Sequence, residues 1–291
     1  MSLSVWDAAL IADKTLTYAA TLAAGGAVFF LWHSGQLAAG ADRLRIRRMV
    51  LGLAVLGVAA GALQVPLAAG SLSSTAAGMF DGSLLDMVWQ AGAGRANVIR
   101  AVGLALAALV LCTDRPAWPA LLGAMLASTS FAWTGHASSL ESVVLPLVLI
   151  SLHLLGVAFW LGALVPLLLI VRSGDLARMA AAAARFGAVA VVVVCVLMLA
   201  GAALLWLLLG DIAALWSSTY GRYVMLKLGF VACLLSLAAF NKLRLTPRLL
   251  AADLGAVRSF RSSIRLELIL GLLILAVTAT FTSVTGPPAL Q

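Results

Sequence analysis

The chain has 291 residues, of which 63% are hydrophobic and only 10% charged, and its mean hydropathy is +1.10. A soluble domain carries about 25% charged residues, so this composition excludes one and describes an integral membrane protein built from spanning helices rather than barrel strands. The net charge of +8 is no sign of nucleic-acid binding, because the basic residues gather at the ends of apolar runs.

In chain order, the first apolar run covers about Leu10 to Leu37; it opens with Asp13 and Lys14 and closes at Trp32 and His33. It is too long for the short core of a cleaved signal, so this helix is expected to stay in the protein. A basic stretch follows, with Arg43, Arg45, Arg47 and Arg48, then a second run from Met49 to Gly70. Ser71 to Gly94 is polar and glycine-rich and reads as a loop. The third run is Ala96 to Cys112, and Thr113-Asp114-Arg115-Pro116 makes a tight turn into the fourth, Ala117 to Thr134. A loop from Gly135 to Val144 holds His136 and Glu141. The fifth run is Leu145 to Val171, with His153 inside it; a basic loop leads to the sixth, Phe186 to Gly210. The seventh is Arg222 to Asn241, and a long basic loop from Lys242 to Arg265 precedes the eighth, Ile264 to Ser283.

The expected fold is therefore all-α: one integral membrane domain over residues 1–291, a bundle of eight transmembrane spans. Basic residues alternate from loop to loop, which puts both termini on the side away from the cytoplasm. Gly94-Arg95 with Arg100 and Gly221-Arg222 with Lys227 recur at an offset of 127 residues, each opening the third span of a set of four. Two parallel four-helix repeats, residues 1–136 and 137–291, are the arrangement this pattern would produce.

Ionisable side chains inside a membrane cost about 2.5–3.5 kcal/mol each on insertion scales, so their placement is informative. Asp13, Lys14, Arg100, His153 and Lys227 fall in the outer halves of their runs, and Arg222 at the same rim. With Trp160, seven residues or two turns beyond His153 on the same face, they are candidates for an outward-opening polar cavity. The plainer reading of Arg95, Arg100 and Arg222 is that they snorkel to the interface. A hairpin of spans four and five would bring His136 and His153 together. Imidazole with a thioether such as Met225 or Met125 suits copper, Cu(I) above all; against this, helical methionine is usually packing, and each histidine has an ordinary hydrogen-bonding alternative. Cys195, Met198, Cys233, His33 and Glu267 are candidates for an inner path, although a buried cysteine more often acts as a small hydrophobe. Cys112, Cys195 and Cys233 show no CxxC spacing, and no Walker, triad or dinucleotide motif is present.

The ordered set of Gly94-Arg95 with Arg100, Gly135-His136, His153-Leu-Leu-Gly-Val-Ala-Phe-Trp160-Leu-Gly-Ala, Tyr220-Gly221-Arg222 with Lys227, Asn241-Lys242 with Pro247, and Glu267 resembles the copper resistance protein D family (CopD or PcoD) of bacterial inner membranes. The resemblance covers the whole chain. It implies a non-enzymatic copper-handling protein that moves copper from periplasm to cytoplasm, often beside a periplasmic CopC-like copper protein. Two other functions remain open on the residues. A haem-bearing membrane oxidoreductase would need an axial pair, for which only His136 and His153 lie at one face. A non-transporting factor that delivers copper to a partner would need no inner path.

Overall fold

A computed structural model describes residues 4–112, 117–133, 144–172 and 174–285. The described residues are helical, without strands. Seven helical stretches are long and apolar enough to cross a membrane: Val5–Leu37, Gly40–Ser73, Gly82–Cys112, Val144–Arg172, Leu176–Leu209, Thr219–Leu250 and Leu254–Val284. The helices within and between them are α1 (Val5–Ser34), α2 (Gly40–Ser73), α3 (Gly82–Val88), α4 (Gly94–Ala108), α5 (Trp118–Thr129), α6 (Val144–Arg172), α7 (Leu176–Leu209), α8 (Ala214–Ser217), α9 (Thr219–Phe240), α10 (Thr246–Leu250) and α11 (Leu254–Val284).

Most stretches are longer than the roughly 20 residues that a bilayer core requires. The excess lies where the sequence reads as basic loop. Arg43 to Arg48 sit inside α2, Arg178 and Arg185 inside α7, and Arg258 to Arg265 inside α11. Asp175 starts α7 by accepting from the Arg178 N–H, and Asp253 starts α11 by accepting from the Gly255 N–H, so each loop shrinks to a few residues before its cap. The expected loop from Ser71 to Gly94 is mostly helical too: Asp81 caps α3, and a π-turn at Trp89–Ala93, with Gly92 at φ +95°, feeds α4.

The segment expected as the fourth span is short. The twelve residues of α5 continue into a four-residue 3₁₀ turn, Ser130–Trp133. It runs antiparallel to α4 at close range. A Cβ on Gly103 would lie 2.5 Å from the Ala127 nitrogen, and one on Gly123 2.5 Å from the Ala107 nitrogen.

The basic residues mark one end of the bundle. Arg47 of α2 donates to the Val110 and Leu111 carbonyls, covering the C-terminal end of the α4 segment, and Lys242 donates to the Gly187 carbonyl of α7 at 2.9 Å. The Val110 and Leu111 carbonyls end their helical segment and lack partners within it, so a cation there is favourable.

Two helices form the centre. α1 packs on α2, α5, α6 and α11, and α6 packs on α1, α7, α5 and α11. At their crossing, Gly26 and Gly162 face each other; a Cβ on Gly26 would stand 1.7 Å from the Ala158 carbonyl oxygen. Small residues there let the backbones touch, which supplies packing where lipid leaves no hydrophobic drive between helices. By contrast α7 and α9 barely meet. A largely apolar cavity of about 440 Å³ separates them on the half nearer the basic end, walled by α6 and α11 as well.

Candidate metal and polar sites

Polar side chains cluster at the end opposite the basic one. Lys14, on the first half of α1, donates to the Thr282 carbonyl at 3.2 Å and reaches the Ser283 hydroxyl at 3.5 Å. Tyr18, one turn on, lays its ring edgewise on Phe131 at 4.6 Å and hydrogen-bonds Thr282. These two α1 residues therefore join the end of the α5 segment to the end of α11.

Arg100 of α4 is buried. Its Nε donates to the Ser130 hydroxyl at 3.2 Å, its Nη1 to the Asn97 side-chain carbonyl at 2.7 Å, and its guanidinium lies 4.3 Å from the Phe131 ring centroid. Its charge also acts on Asp13, which is buried and has one carboxyl oxygen without a hydrogen-bond partner among the described residues. A guanidinium that spreads its charge over hydroxyl, amide and ring costs far less to bury than a bare one. Gly61 of α2 makes room for it: a Cβ there would meet Nη1 at 2.8 Å.

Lys227 of α9 occupies the comparable place in the second half, with Nζ 5.7 Å from the Phe281 centroid. Tyr220 packs edgewise on the same ring at 5.2 Å. His153 of α6 is half-buried, its Nδ1 is 3.4 Å from the Leu197 carbonyl of α7, and its ring rests over Gly201; the Lys227 charge faces it. Met225 lies partly buried on α9, two residues before Lys227, and Arg222 is exposed at the helix start. His136 and Glu141 lie outside the described residues. Among the described residues no three His, Cys, Asp or Glu side chains gather as a metal site.

The sequence-derived polar group divides. Arg100 and Asn97 line a cavity of about 360 Å³ between α2 and α4, whose wall does not include Asp13, Lys14 or Lys227. Trp160 belongs elsewhere: its indole N–H donates to Glu267 at 3.2 Å, so it stands with the inner candidates. The other oxygen of Glu267 is 2.5 Å from the Asn241 amide. These three, with Cys195, line the cavity between α7 and α9. Met198 and Cys233 are exposed on the bundle's surface, and His33 bonds Ser34 at the basic end, where Arg185 is its charged neighbour.

Sequence reasoning passed over Tyr18, Asn97, Ser130, Phe131, Asn241 and Phe281 as site residues. The aromatic rings carry no signal in an apolar run. Asn241 did carry one, being an amide at the end of an apolar helix and, like Glu267, costly to leave unpaired.

Residues 5–145 match the "Copper resistance protein D-like, N-terminal domain" family and residues 180–281 match "Copper resistance protein D". The "Copper transport protein CutJ" of Bacillus subtilis (strain 168) is 26% identical over 300 positions, which cover 95% of this chain. The chain spans about half, 53%, of that relative's length. No solved structure matches it. The two matches stand in tandem order, one from α1 to α5 and one from within α7 to α11, with most of α6 between them, and in both the chain is similar to copper resistance protein D.

Proposed function

We propose that this protein moves copper across the bacterial inner membrane, from the periplasmic to the cytoplasmic side. The observation that carries the reading is the tandem match to the two copper resistance families, on a bundle whose polar chemistry is concentrated at one end. The basic end faces the cytoplasm. The Trp118–Trp133 segment completes an eighth crossing beside α4, and both termini face the periplasm. The two sets of helices, α1–α2–α4–α5 and α6–α7–α9–α11, form a parallel repeat; the matched placing of Arg100 on Phe131 and Lys227 on Phe281 supports it.

Copper is the substrate, and it is met at the periplasmic end. His153 is its principal ligand there, with His136 and Met225 as further donors. Imidazole and thioether suit copper in either oxidation state, Cu(I) best. Lys227 works against a cation beside His153, so the site holds copper transiently rather than storing it. A CopC-like periplasmic protein is the natural source of the ion. The name of the Bacillus subtilis relative, a copper transport protein, agrees with this assignment.

The test is copper uptake by sealed vesicles carrying the purified protein in one orientation. Accumulation above protein-free vesicles is the expected result. Copper bound at the vesicle surface with none in the lumen would overturn transport.

A further inference from the structure

Glu267 is a buried carboxyl on a membrane-crossing helix, at 3% exposure, and among the described residues it has no ion-pair partner. A lone charge in such a place is costly, and a group retained there is a functional candidate. Its contacts are both neutral: the Trp160 indole on one oxygen and the Asn241 amide on the other.

The Asn241 contact is informative. As placed, its Nδ2 donates to Glu267 Oε1. With the amide nitrogen towards Glu267, the buried Asn241 Oδ1 is left without a partner. A half-turn of the amide exchanges the two atoms. In that orientation Oδ1 can accept from a protonated Glu267. The same pair therefore holds both states of the carboxyl: Nδ2 donates to the carboxylate, Oδ1 accepts from the acid.

Glu267 also lines the cavity of about 440 Å³ on the half nearer the basic end. The titratable groups facing it there are Lys242, bound to the Gly187 carbonyl, and the Cys195 thiol. α6 presents Trp160, Leu164 and Leu167, none of which titrates. On α11 itself Arg265 is exposed and Arg261 half-buried one turn nearer the basic end, and in α10 Arg248 pairs with Asp253. α1 carries its acidic and basic groups at the opposite end and His33 at the basic end, where its charged neighbour is Arg185 of α7, next to Phe186 of the cavity wall.

We infer that Glu267 is a proton-binding site whose proton exchanges with the cytoplasmic side through this cavity, with the Asn241 amide turning to hold either state. In the step, the Glu267 O–H bond breaks, the proton passes to water in the cavity, and the carboxylate takes the Asn241 N–H; the return step reverses each change. Resting on the transport reading above, this makes Glu267 the group that links copper movement to pH.

Two measurements test it. Infrared difference spectra of purified protein between acidic and alkaline buffer should show a protonated-carboxyl band in wild type that Glu267→Gln lacks. In vesicles holding a pH-sensitive dye, copper entry should shift lumenal pH with wild type, and the shift should be lost in Glu267→Gln. Should that variant not fold, Asn241→Leu removes only the amide and should displace the titration of the band. An unchanged band in folded Glu267→Gln, or no displacement in Asn241→Leu, would overturn the proton site. An unchanged pH shift in Glu267→Gln would overturn the coupling. Vesicles in which wild type moves no copper, yet the band behaves as expected, would sink the transport reading and leave the proton site standing.

Discussion

The bundle has two kinds of seam, and they differ in what a side chain would meet. Where α1 crosses α6, and where α4 lies against α5, backbone touches backbone and glycine is the only residue that fits. Between α7 and α9 there is a cavity, bridged towards the basic end by the Lys242 bond to Gly187. The same contrast runs through the buried cations. Arg100 is tied to Ser130, Asn97 and Phe131, whereas Lys227 has one ring at longer range. The groups proposed to work, His153 with Lys227 and Glu267 with Asn241, all belong to the part of the chain from α6 to α11, which holds the looser seam.

The seams can be told apart by adding one methyl group. Gly26→Ala forces a Cβ into the Ala158 carbonyl, which no rotamer relieves, and should cost about 3 kcal/mol or prevent folding. Gly187→Ala meets only the flexible end of Lys242, at 3.9 Å, and should change stability by less than about 1 kcal/mol. Thermal unfolding of both variants in one detergent compares them; equal losses would mean that the α7–α9 seam is as closed as the α1–α6 seam.

The cations should rank the same way. Arg100→Met strands Ser130, Asn97 and Asp13 in the core and should cost about 2–3 kcal/mol. Lys227→Met removes a single cation–ring contact and should cost about 1 kcal/mol or less. If the Lys227 variant is the less stable of the two, the second half is not the looser one.

How far the sequence reveals this contrast depends on the residue. Composition and the basic clusters make the helical membrane class plain, and the spaced motifs make the copper family plain. The seams are not visible, because a glycine at a helix crossing and one in lipid, such as Gly229, look alike in a run of alanine and leucine. The long basic stretches read as loops because charge is the strongest signal in an apolar chain. They are helical because Asp175 and Asp253 cap them and arginine can extend to the interface. Trp160 shares a helical face with His153 and so reads as part of the outer group. Its actual partner, Glu267, is more than a hundred residues away, beyond any local pattern.

The smallest expected effect lies outside the membrane. Asp253, held by the Arg248 guanidinium and the Gly255 N–H, titrates below the usual carboxylate range. Its contribution to stability is therefore present above the unfolded value of about 4 and is lost as pH falls through the folded one. Asp253→Asn should flatten the acid limb of a melting-temperature profile and leave the neutral value nearly unchanged. A wild-type acid limb would show that the start of α11 does not depend on this cap.

The central claim is that copper is bound at the periplasmic end through His153, and the direct test is the copper content of folded, monodisperse His153→Ala. Loss of most of the copper that wild type retains is the predicted result, with binding to wild type weakening as pH falls and protonation competes with the metal for imidazole. A His153→Ala protein that keeps the wild-type copper content would contradict the account.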